Sequence, residues 1–216
     1  MTTIYPLPLT CPVCNEDFES CEIGSCGFGS RRTDFRPNYW GLNPVLYFYH
    51  LCPSCGFCGT KASFKKTFEN ATFKEKILSL GPLHDHSLEK KLERAIICLE
   101  IMKRYDLIQM NEYDFANYWL DLFWWAETPE LMKKSGQMVI KYFQIALEKN
   151  IVPSEEIFKI KYLIAEIYRR LDQKNIANKL FDEVISLTEK NDDLKWLHNL
   201  AIQQKTSPKD ILDRKT

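Results

Sequence analysis

The chain has no charge excess to offer a polyanion. Its 29 lysines and arginines meet 29 aspartates and glutamates. Within residues 1–70 the six cations Arg31, Arg32, Arg36, Lys61, Lys65 and Lys66 face the six anions Glu16, Asp17, Glu19, Glu22, Asp34 and Glu69, so nothing there draws phosphates and nucleic acid is a disfavoured partner. No window approaches the roughly 18 apolar residues of a membrane span, and the opening MTTIYPLPLTC has neither a basic start nor a continuous apolar core. The expectation is a cytoplasmic protein without a membrane partner. Also missing are the sequence orders of familiar catalysis: a Ser-His-Asp order, a glycine-rich phosphate loop and a helical His-Glu-x-x-His. His84 and His86 flank Asp85 in what reads as a solvated loop, and His198 falls in the last helix. These absences argue against hydrolase and nucleotide chemistry, and no catalytic residue is named.

What is present is a folded chain, 45% apolar and 13% aromatic, long enough for one or two domains. Eight cysteines are unevenly placed: seven precede residue 59 in paired spacings and only Cys98 lies beyond. With no secretory signal, this pattern reads as metal ligation in a reducing compartment rather than as a disulfide framework.

The two halves follow different rules, and the fold class they predict is α+β. Residues 1–70 hold the early cysteines, most glycines and prolines, and a strand-like run VLYFYHL at 45–51. They predict a small, β-rich, zinc-ribbon-like module. Residues 71–205 carry helical periodicity with few glycines, and 206–216 form a polar tail whose last residues should fray. Helices are expected at 87–106, 111–126, 129–149, 154–171, 174–189 and 192–204, with Ser87, Thr128 and Ser154 as capping hydroxyls. Short connections imply that successive helices pack antiparallel.

The clearest pair is KIKYLIAEIYRRLDQKNIANKLFDEVISL. Ile160, Leu163, Ile164, Ile167, Tyr168 and Leu171 form one apolar stripe; Ile176, Ala177, Leu180, Phe181 and Val184 form the facing one. Ala165, Tyr168, Ala177 and Phe181 stand at the signature positions of the tetratricopeptide repeat, which this pair resembles, although Lys161 and Val184 depart from it. An ordinary helical bundle is the alternative. In a repeat, Lys159, Tyr162, Glu166, Arg169 and Arg170 would line an open groove suited to an extended acidic peptide. The competing reading is a solvated helix face on which the paired arginines favour the C-terminal end of the dipole.

Two Cys-x-x-Cys pairs, Cys11 with Cys14 and Cys52 with Cys55, each have proline after the first cysteine and a turn-forming residue after the second. Together they supply the four thiolates of a tetrahedral zinc ion, one per chain, and leave no open position for a substrate. The run CPSCGFC also begins like a ferredoxin motif, but its fourth ligand would fall on Ala62. A dithiol redox pair is a further alternative. Cys21, Cys26 and Cys58 read as small buried or turn residues; a second metal site from these with His50 is the less favoured option. Between the pairs, Arg31, Arg32, Asp34, Arg36, Tyr39, Trp40 and Asn43 form either a polar ligand pocket or a shell that offsets the negative zinc–thiolate centre, with Asp34 paired to an arginine. The shell is favoured.

The segments CPVCNEDF, RRTDFRPNY, NPVLYFYHLCPSCGF and YLIAEIYRRLDQKNIANKLFDEVI, in this order, resemble a bacterial family of unknown function, the domain of unknown function 2225 family. The resemblance implies a zinc-ribbon-like N-terminal part and tetratricopeptide-like helices, and no activity. Cys58 and Phe57 depart from the family pattern, so the extra cysteines carry no implied role. The functional expectation is a zinc-binding adaptor that engages a protein or peptide through its helices. A thiol or iron–sulfur redox protein and a nucleic-acid-associated zinc ribbon are the alternatives.

Overall fold

The computed structural model describes residues 2–212. They form two compact units. One contains the chain up to Phe28 and again from Tyr39 to Met110; the other contains Gly29–Asn38 and the described chain from Asn111 onward. This division differs from a boundary at residue 70. A ten-residue excursion of the cysteine half belongs to the second unit, and the first helices belong to the cysteine unit.

In the first unit, β1 (Thr3–Thr10) pairs antiparallel with β2 (Asp17–Ser25), from Thr3 opposite Ser25 to Thr10 opposite Asp17. Pro6 and Pro8 are tolerated because a two-stranded ribbon leaves one edge of each strand free of ladder bonds. A second short ribbon joins β5 (His50–Leu51) to β6 (Cys58–Gly59). The predicted strand at 45–51 is thus largely a different structure: Pro44–Tyr47 is a 3-10 turn and only His50–Leu51 is extended. Asn43 starts that turn by accepting from Val45 N at 3.1 Å, and Pro44 presets its φ. Local capping outweighs the β propensity of the aromatic run.

Three helices complete this unit: α1 (Lys61–Phe64), α2 (Ala71–Leu78) and α3 (Leu88–Arg104). Phe57, Phe64, Phe68 and Phe73 are all buried and contact one another in succession, with centroids 5.1, 5.9 and 4.7 Å apart along the series Phe57–Phe64, Phe57–Phe68 and Phe68–Phe73. Each buried phenylalanine contributes about 1.5–3 kcal/mol, so this aromatic row forms much of the small module's core.

The second unit is built on α4 (Glu112–Trp125), α5 (Pro129–Glu148), α6 (Ile157–Arg170), α7 (Lys174–Thr188) and α8 (Lys195–Thr206), each packed on the next. The helix series lies close to its predicted bounds. Ser87 accepts from Lys90 N and Thr128 from Leu131 N as expected. Ser154 does not cap; it lies in the turn before Ile157 and bonds Glu155. Asn111 and Asp114 form an unforeseen reciprocal capping box. Ala165, Ala177 and Phe181 are fully buried in one apolar cluster with Tyr162, Leu197 and Leu200, whereas Ile176 is exposed.

Folded into this helical unit is the turn between β3 (Phe28–Arg31) and β4 (Pro37–Tyr39). Phe35 at its tip has φ 67°, a strained conformation for a bulky side chain. The strain is offset by packing: its ring centroid is 5.4 Å from Tyr162 and 6.2 Å from Trp196.

Candidate metal centre and a buried ion-pair network

Two turns of the first unit are built alike. Cys11–Cys14 bridges β1 and β2, and Cys52–Cys55 bridges β5 and β6. In one, Cys11 N donates to Glu16 O and Asn15 N to Cys11 O; in the other, Cys52 N donates to Phe57 O and Gly56 N to Cys52 O. Asn15 at φ 63° and Gly56 at φ 72° close the two turns in the left-handed region, where asparagine and glycine are the residues best tolerated. At Gly56 a Cβ would collide with Gly81 O and Arg94 Nη1, the same guanidinium that donates to Gly81 O at 2.7 Å.

This construction brings the sulfurs of Cys11, Cys14, Cys52 and Cys55 within 4.8 Å of one another. Cys11 and Cys55 are 3.6 Å apart, Cys14 and Cys52 3.5 Å. A tetrahedral ion with sulfur at about 2.3 Å sets sulfur–sulfur edges near 3.8 Å, so the donor set fits zinc in number, softness and spacing. Hydrogen bonds from Cys11 and Cys55 hold the Cys52 thiol down. The bond with Cys52, together with burial, pushes the Cys11 thiol up, and bonds with Cys11 and Cys52, again with burial, push the Cys55 thiol up. A divalent cation held by these four sulfurs would take them as thiolates.

The other cysteines lie elsewhere. Cys58 is fully buried, its N 3.4 Å from Cys98 Sγ, and burial pushes both thiols up, Cys98 to about 11. Cys21 is half-buried on β2 and Cys26 is exposed. His50 is bound through Nδ1 to Ser20 Oγ at 2.9 Å. Among the described residues the four-cysteine set is the one group of such side chains close enough together to hold a metal ion, and His50 belongs to no such group.

The segment 31–36 has its partners in the helical unit rather than around thiolates. Asp34, fully buried, takes a bidentate pair from Arg32 at 3.2 and 2.7 Å, and Arg170 Nε lies 3.3 Å from it. Glu166, also fully buried, takes a bidentate pair from Arg169 at 2.7 Å for each bond, lies 2.9 Å from Arg170 Nε, and accepts from Thr33 Oγ1 at 2.8 Å. Tyr162 donates to Thr33 O at 3.0 Å. Arg36 donates to Trp124 O at 3.0 Å and stacks 4.8 Å from the Trp125 ring. The expected pairing of Asp34 with an arginine is present, and the opposing charges are carboxylates. Arg31 contributes its carbonyl to Leu212 N, and Tyr39 ends β4.

The expected open groove is therefore filled. Tyr162 and Glu166 are wholly buried and the Arg170 side chain is 11% exposed, so three of the five groove residues face the chain's own 31–36 turn. Lys159 pairs with Glu156 at 2.7 Å. The sequence predicts a polar tail at 206–216, yet 209–212 join this network. Thr33 N donates to Asp210 O, Leu212 N to Arg31 O, and Arg32 bridges with Ile211. The expected fraying concerns residues that mostly lie outside the described ones. The one signal available was the alternation of Asp210 and Leu212, two residues apart as on one face of a strand.

No helix among the described residues is long and apolar enough to cross a membrane. Comparison with family models matches residues 4–208 to a family described as uncharacterized proteins conserved in bacteria, DUF2225. Neither a curated protein nor a solved structure matches the chain.

Proposed function

The chain belongs to that bacterial family, and from its own geometry we propose that it is a zinc-organised, non-catalytic scaffold that engages a protein or peptide partner in the cytoplasm. The closed four-sulfur group carries the reading. Four cysteines within 4.8 Å satisfy a tetrahedral ion completely, and a site so closed lends cross-linking rather than a position for substrate. The ion would join turns that are 38 and 44 residues apart in the pairs Cys14–Cys52 and Cys11–Cys55. That supplies on the order of 10 kcal/mol to a module with a small core.

The partner half of the proposal draws on the helices. We read α6 and α7 as a tetratricopeptide-like pair, supported by buried Ala165 and Ala177 at the close approach and by Phe181 in the groove between them. Such pairs commonly present surfaces to other chains.

Metal analysis of the native protein, with mass spectrometry of what co-purifies, tests both halves. The reading expects one zinc per colourless chain and a retained partner. Visible absorption from an iron–sulfur centre, or turnover of a substrate lost with the metal, would overturn it.

A further inference from the structure

We propose that the segment Lys209–Leu212 sits, in cis, in a peptide-docking site, and that the site's partner is an extended segment carrying an acidic residue followed two positions later by an aliphatic one. This deepens the scaffold reading and rests on it.

The site has the two components by which extended peptides are recognised. The first reads backbone. Gln204, 2% exposed, grips Lys209 from both sides: Nε2 donates to Lys209 O at 3.0 Å and Oε1 accepts from Lys209 N at 3.2 Å. Further along, Thr33 N donates to Asp210 O at 3.0 Å and Arg31 O accepts from Leu212 N at 2.9 Å. Nothing in these four bonds depends on the identity of the side chains bound.

The second component reads side chains. Asp210 faces Arg170 Nη1 at 3.4 Å and Arg169 Nη2 at 3.7 Å, and Leu212 packs on the apolar cluster with Phe35 and Trp196. Ile211 between them is 48% exposed. Three guanidiniums, Arg32, Arg169 and Arg170, pair with the two buried carboxylates Asp34 and Glu166, so the position that Asp210 fills suits an acid.

The present occupant is held loosely at its charged position. The Asp210 side chain is 77% exposed, and both arginines lie closer to Glu166 than to Asp210. A covalently attached segment competes at an effective concentration of about millimolar, so displacement calls for a ligand of matching pattern rather than any acidic peptide.

The probe is a fluorescein-labelled synthetic peptide of residues 206–215, TSPKDILDRK, titrated by anisotropy against the full chain and against the full-length double variant Asp210→Ala with Leu212→Ala. The variant should bind at least about ten-fold more tightly than the wild type, because its own segment competes less. Peptide versions with Asp210→Asn or Leu212→Ser should each bind about ten-fold more weakly, the range of a charge-assisted hydrogen bond or a buried aliphatic group. Equal binding of a scrambled peptide, or no binding to the variant, overturns the proposal. Dimerisation of the wild type by exchanged tails, seen by sedimentation, also overturns it in favour of a second copy. Hydrogen exchange provides the check independent of any variant: the Leu212 and Thr33 amides should exchange at least about ten-fold faster than those of α6, by local opening. Exchange only through global unfolding sinks the idea. Zinc content, measured on the same samples, separates the outcomes. Full zinc without peptide binding removes this site alone, and absent zinc removes the scaffold reading.

Discussion

Arg170 Nε lies between two fully buried carboxylates, 2.9 Å from Glu166 Oε1 and 3.3 Å from Asp34 Oδ2. Removing Arg169 and Arg170 together leaves Glu166 without a cation where water cannot reach it, while Asp34 keeps only Arg32. Arg169→Ala combined with Arg170→Ala should therefore lower stability by about 3–5 kcal/mol in urea unfolding. Read as a solvated helix face, the same pair would be almost neutral. Asp210→Ala, at an exposed carboxylate, should change stability by no more than about 0.5 kcal/mol.

Native protein should contain one zinc, and Cys11→Ser or Cys52→Ser should lose it and unfold the first unit. Cys58→Ser should keep its zinc, since Cys58 is buried against Cys98 and stands outside the four-sulfur group. Its cost should be about 1–3 kcal/mol, from placing a hydroxyl where a thiol was dry. Metal content by plasma emission decides between ligand and bystander.

The two cysteine turns should respond differently to the same kind of change. Gly56→Ala introduces a Cβ into Gly81 O and Arg94 at a positive φ, so its midpoint of thermal unfolding should drop and zinc should leave more easily to a chelator. Asn15→Gly relaxes the equivalent position at φ 63° and should leave both within error of the wild type. A Gly56→Ala protein that holds zinc as tightly as the parent would show the second turn to be more yielding than its packing indicates.

Thiol labelling should follow exposure and acidity together. Cys26 is exposed and should alkylate first; Cys58 and Cys98 are buried with thiols pushed up, Cys98 to about 11. Below that value the thiolate fraction falls tenfold per pH unit, so both should stay unlabelled at neutral pH until denaturant is added. Peptide mapping after timed iodoacetamide exposure reads the order directly.

A fragment of residues 85–205 should be helical but markedly less stable than the same helices in the full chain. It lacks the turn that supplies Asp34 to Arg170 and Phe35 to Tyr162 and Trp196, and it leaves α3 without β6, on which it packs. Circular dichroism melting of the fragment beside the full chain gives the comparison. Equal melting of the two would show the inserted turn to be dispensable.

Much of this was legible because it is local. Helix starts are marked by Ser87 and Thr128, and the metal turns by cysteine spacing with Asn15 and Gly56 after each pair. Elsewhere short-range chemistry misled: Asn43 and Pro44 wind a stretch whose aromatic composition favours a strand, and Asn70 caps α2 inside a region read without a defined helix. The burial of Glu166 was out of reach for another reason. Its partner Thr33 is 133 residues distant, and nothing in the period of α6 distinguishes a charged residue facing water from one facing a turn delivered from so far away. Thr33 and Asp210, paired across a still longer stretch of chain, were out of reach for the same reason, whereas the Gln204–Lys209 contact is local and carries no distinctive pattern.

The excursion of Gly29–Asn38 into the helical unit makes the chain pass from one unit to the other three times, after Phe28, after Asn38 and after Met110. No single scission yields two self-sufficient pieces. A protease nick after Met110 would leave an N-terminal fragment whose own finger stays buried in the other piece, so the two should migrate together on a native gel and part only in denaturant.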